Sequence, residues 1–479
     1  MESVFDVVVV GAGPGGSAVA TLLSRAGAST LIIDKAYFPR DKVCGDGLTP
    51  RALYWLNELG CVDQVLDATR SCITAADLYV RGKHALTGAF PSSGPYPGFC
   101  VILKRKELDH IMVRNAMAAG ARFRPGCMVR GLRWTPAGVV VEAQSEGKPV
   151  SFLAKIVIGA DGANSMVSRA LGNQIRDGVT AVSMRGYYEG VHTAGANIQV
   201  HFDESYFPGY GWVFADDDGR ANIGVGCAVD PDFPLRDGMR KIYDRFVSEA
   251  LAETLRNAVA VGEPKGGFSS FFRPSKTVAD GVLLIGDAAN LADPISGGGI
   301  HMAMESAHVA APVALEALRR NDCSAAFLAG YRYAWDRGYE ADWRAGELML
   351  TIAKNPQLRE VWLYGLELIA GVARNDAGFQ EYCAGMFSGS SAPSSVFDPS
   401  AWLNVIPWDP QVWRSAFPSA GGVPEAAAMA RRVLGAAREM AASPATQLGW
   451  GIEVFTKILT LAGRYLDLQF PAAAGAAVK

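Results

Sequence analysis

Two periods of hydrophobic and polar positions run through this chain and mark where its strands and helices should lie. Residues 5–10 (FDVVVV) form a β-branched run suited to a strand buried on both faces. Residues 15–25 carry helical spacing that Gly27 stops, and residues 29–34 (STLIID) form a second apolar strand. Strand, helix and strand in that order predict a parallel βαβ unit. Residues 109–119 read as another helix, closed by Gly120. Residues 138–144 and 150–158 alternate apolar and polar side chains around a Glu146-Gly147-Lys148 turn, which predicts a strand pair. From 182 to 229 the chain is rich in β-branched and aromatic residues, with a turn at 216–219. It reads as the strands of a second domain inserted into the first. Residues 282–285 make another buried strand and 301–319 an Ala-rich helix. Beyond Cys323 the spacing is helical, broken by a Ser/Pro-rich stretch at 388–400. The Ala/Gly-rich tail, 471–479, is expected to fray. No internal repeat is visible.

At 479 residues the chain calls for two or three domains. Hydrophobic residues make up 49% and charged residues 19%, a globular composition with an apolar lean. A net charge of −3 with both signs scattered gives no reason to expect a nucleic-acid partner. The eight cysteines are widely spread without a CxxC pair, and no signal peptide precedes them. They read as reduced thiols of a cytoplasmic protein. The six histidines show no metal-ligand spacing, so no metal is expected. No apolar run approaches the length of a transmembrane helix.

Chemistry enters with GAGPGG. Gly11, Gly13 and Gly16 fit GxGxxG directly after a strand and at the opening of a helix, with Pro14 and Gly15 between them. Such glycines allow a tight turn, let backbone approach a pyrophosphate and let helix and strand pack closely. The helix start then offers partial positive charge to a diphosphate. Asp34 ends the second strand about 20 residues on, where a carboxylate can bond a ribose hydroxyl, and Lys35 follows it. This motif alone does not separate FAD from NAD. Two later segments add to it: IVIGADGANS, with Asp161, and LIGDAAN, with Gly286 and Asp287, followed by DPISGGGI. Each is a buried strand ending in a carboxylate at a turn, where open α/β sheets bind ligands. Asp287 suits a sugar-like polyol. The amides of Gly297, Gly298 and Gly299, flanked by Pro294 and Ile300, suit a flat, electron-rich ring.

GAGPGG, ADGANS and GDAAN…GGGI in this order resemble the flavoprotein hydroxylase superfamily with the para-hydroxybenzoate hydroxylase fold. The segment FPRDKVCGDGLTPRAL, with RKELD and YGWVF, is similar to the geranylgeranyl reductase family within it. The resemblance covers roughly the first 330 residues. It implies an α/β fold: a Rossmann-like FAD-binding domain (1–75, 101–175, 275–335), an inserted mixed-sheet substrate domain (76–100, 176–274) and a C-terminal helical region (336–479). It implies one non-covalent FAD, with Arg105 and the 40–47 loop, including Arg40, Cys44 and Gly45, lying on the flavin. It implies that the strand carrying Tyr210, Trp212 and Phe214 lines the substrate cavity.

Read physically, Arg40 and Lys42 suit phosphate neutralisation, and Cys44 is either a redox or acid group or an inert buried thiol. Tyr210 and Trp212 share one strand face, as core or as cavity wall. Departures from the family bear on substrate. Ala215, then three aspartates, stands where the family has proline, and the chain runs about 140 residues past the shared region. The WxWxIP motif of flavin halogenases is absent, as is a second nucleotide fold for NADPH or NADH, which would have to dock transiently. Two functions follow. One is an FAD-dependent reductase or monooxygenase acting on a hydrophobic polyene, isoprenoid or polyketide metabolite of bacterial natural-product biosynthesis. The other is a non-redox cyclase, with FAD as scaffold, that folds a linear polyene for a [4+2] cycloaddition of the spirotetronate type. Oligomeric state is not legible.

Overall fold

Strand β1 (Ser3–Val10) lies between β2 (Thr30–Ile33) and β10 (Lys148–Gly159), parallel to both, with Val8 in register with Leu31 and Val157. Its valines divide by the period of two. Val7 and Val9, with Ile156, Ile158 and Leu283, enter one buried cluster; Val8 and Val10, with Val157, Val282 and Leu284, enter another. A strand covered on both faces must be apolar throughout, and this is why the run FDVVVV scarcely alternates. The computed structural model describes residues 3–469 except 93, 174–179, 194, 196, 231–233, 236, 272–275, 398–405, 410 and 413–422. The tail expected at 471–479 and the end of the 388–400 stretch lie outside the described residues.

The first sheet continues outward through β7 (Arg122–Arg124) beside β2. On the other side it runs through β17 (Val282–Leu284) beside β10 and antiparallel β16 (Val278–Ala279). The expected strand pair is β9 (Gly138–Ser145), antiparallel to β10 around Glu146 and Gly147, and β8 (Cys127–Thr135) joins β9. Helices α1 (Pro14–Arg25), α4 (Arg105–Ala118) and α7 (Gly299–Arg320) cover the face of Val7 and Val9. Helices α2 (Pro50–Glu58) and α3 (Val62–Ala68) complete that layer, and α5 (Met166–Ala170) packs under the opposite face. A short ribbon, β3 (Gly47–Leu48) with β6 (Val101–Ile102), leads towards the second sheet.

That second sheet has the order β15 (Val259–Ser270), β11 (Thr180–Glu189), β14 (Ala221–Val229), β13 (Gly209–Ala215), β12 (Ile198–Phe202), β4 (Ala75–Val80), β5 (Lys83–Ala89). One face packs Val213, Ile223 and Val225 against α6 (Met239–Arg245) and Phe246. Past α8 (Ala325–Ala353), helices α9 (Arg359–Ala373) and α10 (Ala377–Ser388) lie on β4 and β5 through Val80, Leu86, Leu363 and Ala370. Helices α11 (Val423–Ala441) and α12 (Pro444–Gln469) follow, and α12 packs on α8. No described helix is long and apolar enough to cross a membrane.

One helix start differs from the sequence expectation by a full turn, and one expected domain limit lies within a helix. Helix α4 starts at Arg105 and not at 109, because the Asp46 carboxylate accepts from the Arg105 amide and so satisfies an amide of its first turn. The domain limit expected at 335 falls inside α8, which runs unbroken from Ala325 to Ala353.

Candidate functional site

The β1–α1 turn is built from close approach. Gly11 has φ +101°, and a Cβ on Gly16 would collide with the Gly11 carbonyl oxygen, so the helix starts tight against the strand. Gly13 is the N-cap of α1, without a side-chain cap, and a Cβ there would find only Arg40 Nη2, at 3.9 Å. Asp34 turns its carboxylate back to the loop, accepting from the Ala12 amide at 2.8 Å and the Ala36 amide at 2.8 Å. Two accepted bonds leave a carboxylate further lone pairs for a hydroxyl. Lys35 points to solvent.

Positive charge gathers beside Gly13. Arg105, 3% exposed, is bidentate to Asp109 at 2.8 Å on both arms, and Asp109 also accepts from Arg40 at 2.6 Å. Burial pushes the Asp109 carboxyl up, but the two guanidiniums outweigh it and hold the group low. Two cations on one anion leave one positive charge over, next to the uncapped start of α1. Arg40 also lies over the Phe38 ring, 4.9 Å from its centroid. The fixed place of Arg105 is therefore a buried ion pair.

Asp287 stands at the start of α7: a Cβ on Gly299 would be 3.2 Å from Asp287 Oδ1, and Lys42 Nζ lies 3.5 Å from Oδ2. Gly286 donates its amide to Ser306 Oγ at 2.9 Å. Gly298 is the N-cap of α7, again without a side-chain cap. Asp293 organises the glycine loop by accepting from the Ile295 amide at 3.0 Å and from Ser296 Oγ, and its carbonyl accepts from the Gly297 amide at 2.9 Å. Pro294 is buried against Gly346 of α8, and Ile300 enters the first core cluster. Asp161 does something more local. Its carboxylate accepts from Ser165 Oγ at 2.5 Å and from the Met166 amide at 2.6 Å, which caps α5.

The aromatic row of β13 meets two of these loops. Tyr210 donates to the Ser296 carbonyl at 2.5 Å, bringing the row to the glycine loop at α7. A Cβ on Gly45 would lie 2.9 Å from Phe214, and one on Gly224 would strike the Trp212 indole, so glycines on both sides make room for flat rings. Ring centroids are 6.1 Å apart from Tyr210 to Trp212 and 6.3 Å from Trp212 to Phe214. The row extends through Phe202, 6.2 Å from Tyr210, to Phe387 of α10, 6.0 Å from Phe202. The structure thus brings Cys44, Gly45, Tyr210, Trp212, Phe214 and Gly297 to one joint between the sheets.

Sequence reasoning overlooked the polar residues that tie this joint. Asp46, 0% exposed with φ +65°, accepts from Tyr187 Oη at 2.6 Å, Asn222 Nδ2 at 2.8 Å and the Arg105 amide at 3.1 Å. Its signal was present within CGDG but read only as a turn. Burial pushes the Asp46 carboxyl up against these donors, and burial likewise pushes the Cys44 thiol up, with Arg105 opposing. Cys44 is therefore a neutral thiol near pH 7. A second buried pair, Arg51 with Glu305 joined by Trp55 Nε1 at 2.6 Å, locks α2 to α7 beneath the glycine loop.

A family model for the FAD binding domain matches residues 4–333. The chain belongs to that family. It is 35% identical over 323 residues to a menaquinone reductase of Mycolicibacterium smegmatis, covering 65% of this chain and 76% of the relative. It is 32% identical over 344 residues to digeranylgeranylglycerophospholipid reductase 2 of Methanopyrus kandleri, covering 70% and 83%. A solved geranylgeranyl bacteriochlorophyll reductase-like protein of Thermoplasma acidophilum superposes with TM-score 0.66 at 22% identity, covering 88% of this chain and 98% of that one. A flavin-dependent brominase gives TM-score 0.67 at 20% identity, covering 84% and 99%. At such identities the structures speak for the fold alone. The geranylgeranyl reductase-like resemblance drawn from the motifs is borne out, and the protein is an enzyme of the FAD-dependent oxidoreductase family.

Proposed function

We propose that this protein is an FAD-dependent reductase of a hydrophobic, isoprenoid or polyene-bearing metabolite, holding one non-covalent FAD. The observation that carries the reading is the joint itself. An aromatic row of Tyr210, Trp212 and Phe214 sits between the 44–47 loop and the glycine loop at α7, the two segments that suit a flavin ring. The residues fit the cofactor. Gly13, with open space above it and Arg40 alongside, suits the diphosphate; Asp34 and Asp287 suit polyol hydroxyls; the Gly299 amide, at a helix start without a side-chain cap, suits the ring, while the Gly298 amide donates to Ser296 Oγ. Lys35 and Asp161 are the least suited, one pointing to solvent and the other spent on α5. Bound FAD supplies two-electron redox chemistry.

The protein's own contribution is placement and exclusion of water. Buried Arg105 and Asp46 hold the loop, the aromatic row presents an apolar wall, and Phe387 brings the C-terminal helices to that wall. The relatives named for menaquinone and for a digeranylgeranyl lipid support a long isoprenoid chain. Helices α9 and α10, past the residues that the family model matches, pack on β4 and β5 and would shape the far end of that wall. The test is to reduce the yellow protein anaerobically with NADPH or NADH, or failing both with dithionite, and to add menaquinone or a geranylgeranyl-bearing lipid. Reoxidation of the flavin coupled to saturation of a double bond is expected. Flavin that stays reduced with every isoprenoid, while a linear polyene cyclises without any electron donor, would replace this reading by the cyclase.

A further inference from the structure

Asn222 stands on β14 opposite Phe214 of β13 and is 2% exposed. Its side chain makes three hydrogen bonds. Oδ1 accepts from Trp212 Nε1 at 3.0 Å, while Nδ2 donates to the Cys44 carbonyl at 2.7 Å and to the Asp46 carboxylate at 2.8 Å. The partners decide which end of the amide is which. An indole N–H can only donate, and a carbonyl or ionised carboxylate can only accept. Both amide hydrogens are committed to the 44–47 loop and the oxygen to the aromatic row. Among the described residues, no other side chain in the joint bonds to both.

The loop needs such holding. Asp46 takes a left-handed backbone conformation without being glycine, which persists only where the surroundings enforce it. Its enforcers come from three elements: Tyr187 of β11, Asn222 of β14 and the Arg105 amide at the start of α4. Asn222 alone among them extends the constraint to Trp212, whose indole lies flat over Gly224 and within reach of Gly45. We infer that Asn222 is a positioning residue, whose amide couples the orientation of the Trp212 ring in the substrate wall to the placement of the Cys44–Gly47 loop on the flavin side. This rests on the function proposed above for the assignment of the two sides, but not for the coupling.

Cys44 reports on the loop without any substrate. The holoprotein would be treated with iodoacetamide and alkylation of Cys44 followed by peptide mass spectrometry, which separates it from exposed Cys72. Trp212→Phe keeps an aromatic ring but removes the indole N–H from which Asn222 accepts, together with part of the ring's volume, and the double variant separates the two losses. It should raise the Cys44 alkylation rate at least threefold. Asn222→Leu, similar in size but without hydrogen bonds, should raise it at least tenfold and shift the absorption maximum of bound FAD. In the double variant Trp212→Phe should add less than twofold, because the link is already cut. Cys44 alkylation in Trp212→Phe within twofold of the parent would overturn the coupling, as would two effects that simply multiply. Should Asn222→Leu not fold, a Cys44 rate unchanged in Trp212→Phe still overturns the coupling. A colourless protein would sink the flavin reading and leave the thiol measurement intact.

Discussion

Asp287 and Asp218 both lie in turns that follow strands, yet their surroundings differ. Asp287 faces the uncapped start of α7 and a lysine, whereas Asp218 is 60% exposed and pairs with Arg220. Removing a hydrogen bond to a ligand hydroxyl costs about 0.5–1.5 kcal/mol, so Asp287→Ala should weaken FAD binding roughly 2- to 13-fold. Asp218→Ala should leave the dissociation constant unchanged in the same titration. Asp216 would be a poor control: it accepts from the Asp218 amide, the Arg220 amide and Arg220 Nε, and so holds together a turn that the sequence suggested was merely acidic surface. A second residue-scale prediction concerns pH. His201 is stacked on Tyr79, centroids 4.5 Å apart, and burial depresses its pKa from 6.5 to about 4. The unfolded chain therefore binds this proton first. The contribution of His201 is whole above pH 6.5, declines as pH falls, and is lost by about pH 4, a change of order 3 kcal/mol. Urea unfolding of His201→Phe should show a shallower acid decline than the parent. The glycines and strand-end acids were legible because they sit in fixed spacing. Asp46 and Asn222 were not, since 176 positions separate them and nothing local in either predicts the pairing.

At the scale of elements, α8 and α12 are joined through a buried lysine. Lys354 Nζ, just past the end of α8, bonds Asp230 at 2.8 Å and Glu453 at 2.7 Å with its side chain 4% exposed. Taking away one member of a buried pair leaves the other charge uncompensated, which costs about 3–5 kcal/mol. Lys354→Met should lower the urea midpoint accordingly, with FAD content in the folded fraction retained. A change below 1 kcal/mol would show that Asp230 keeps compensation from water or another partner once the lysine is gone. The legible elements share a cause. β1, β2 and β17 are short apolar runs buried on both faces, and β9 and β10 flank a Glu-Gly-Lys turn, so period and punctuation sufficed. β15 was invisible because VAVGEPKGGFSS combines Gly, Pro and charge without alternation; its pairing with β11 supplies the order. The strand order likewise places β4 beside β12 across more than a hundred residues, a parallel contact no local signal announces.

The whole molecule gathers the residues proposed to hold FAD from separated stretches: the β1–α1 turn, the 40–47 loop, α4, and the β17–α7 segment. A ligand that touches all of them binds the folded chain and not the unfolded one, so FAD at one hundred times its dissociation constant should add about 2.7 kcal/mol to stability. Melting curves of protein stripped of flavin, with and without added FAD, should differ by several degrees. Indifference to FAD would show that the folded chain does not bind it selectively. The same dispersal has a consequence for biosynthesis. β1 leaves the ribosome first, but its neighbour β10 follows only after residue 148, and β17 with α7 after residue 282. At a translation speed of ~5–20 residues per second, the valines of β1 wait roughly 14–56 s for the last layer that buries them. Throughout that interval one face of β1 lacks its last covering helix, and the turn proposed to hold the FAD diphosphate waits for the segment that completes the site.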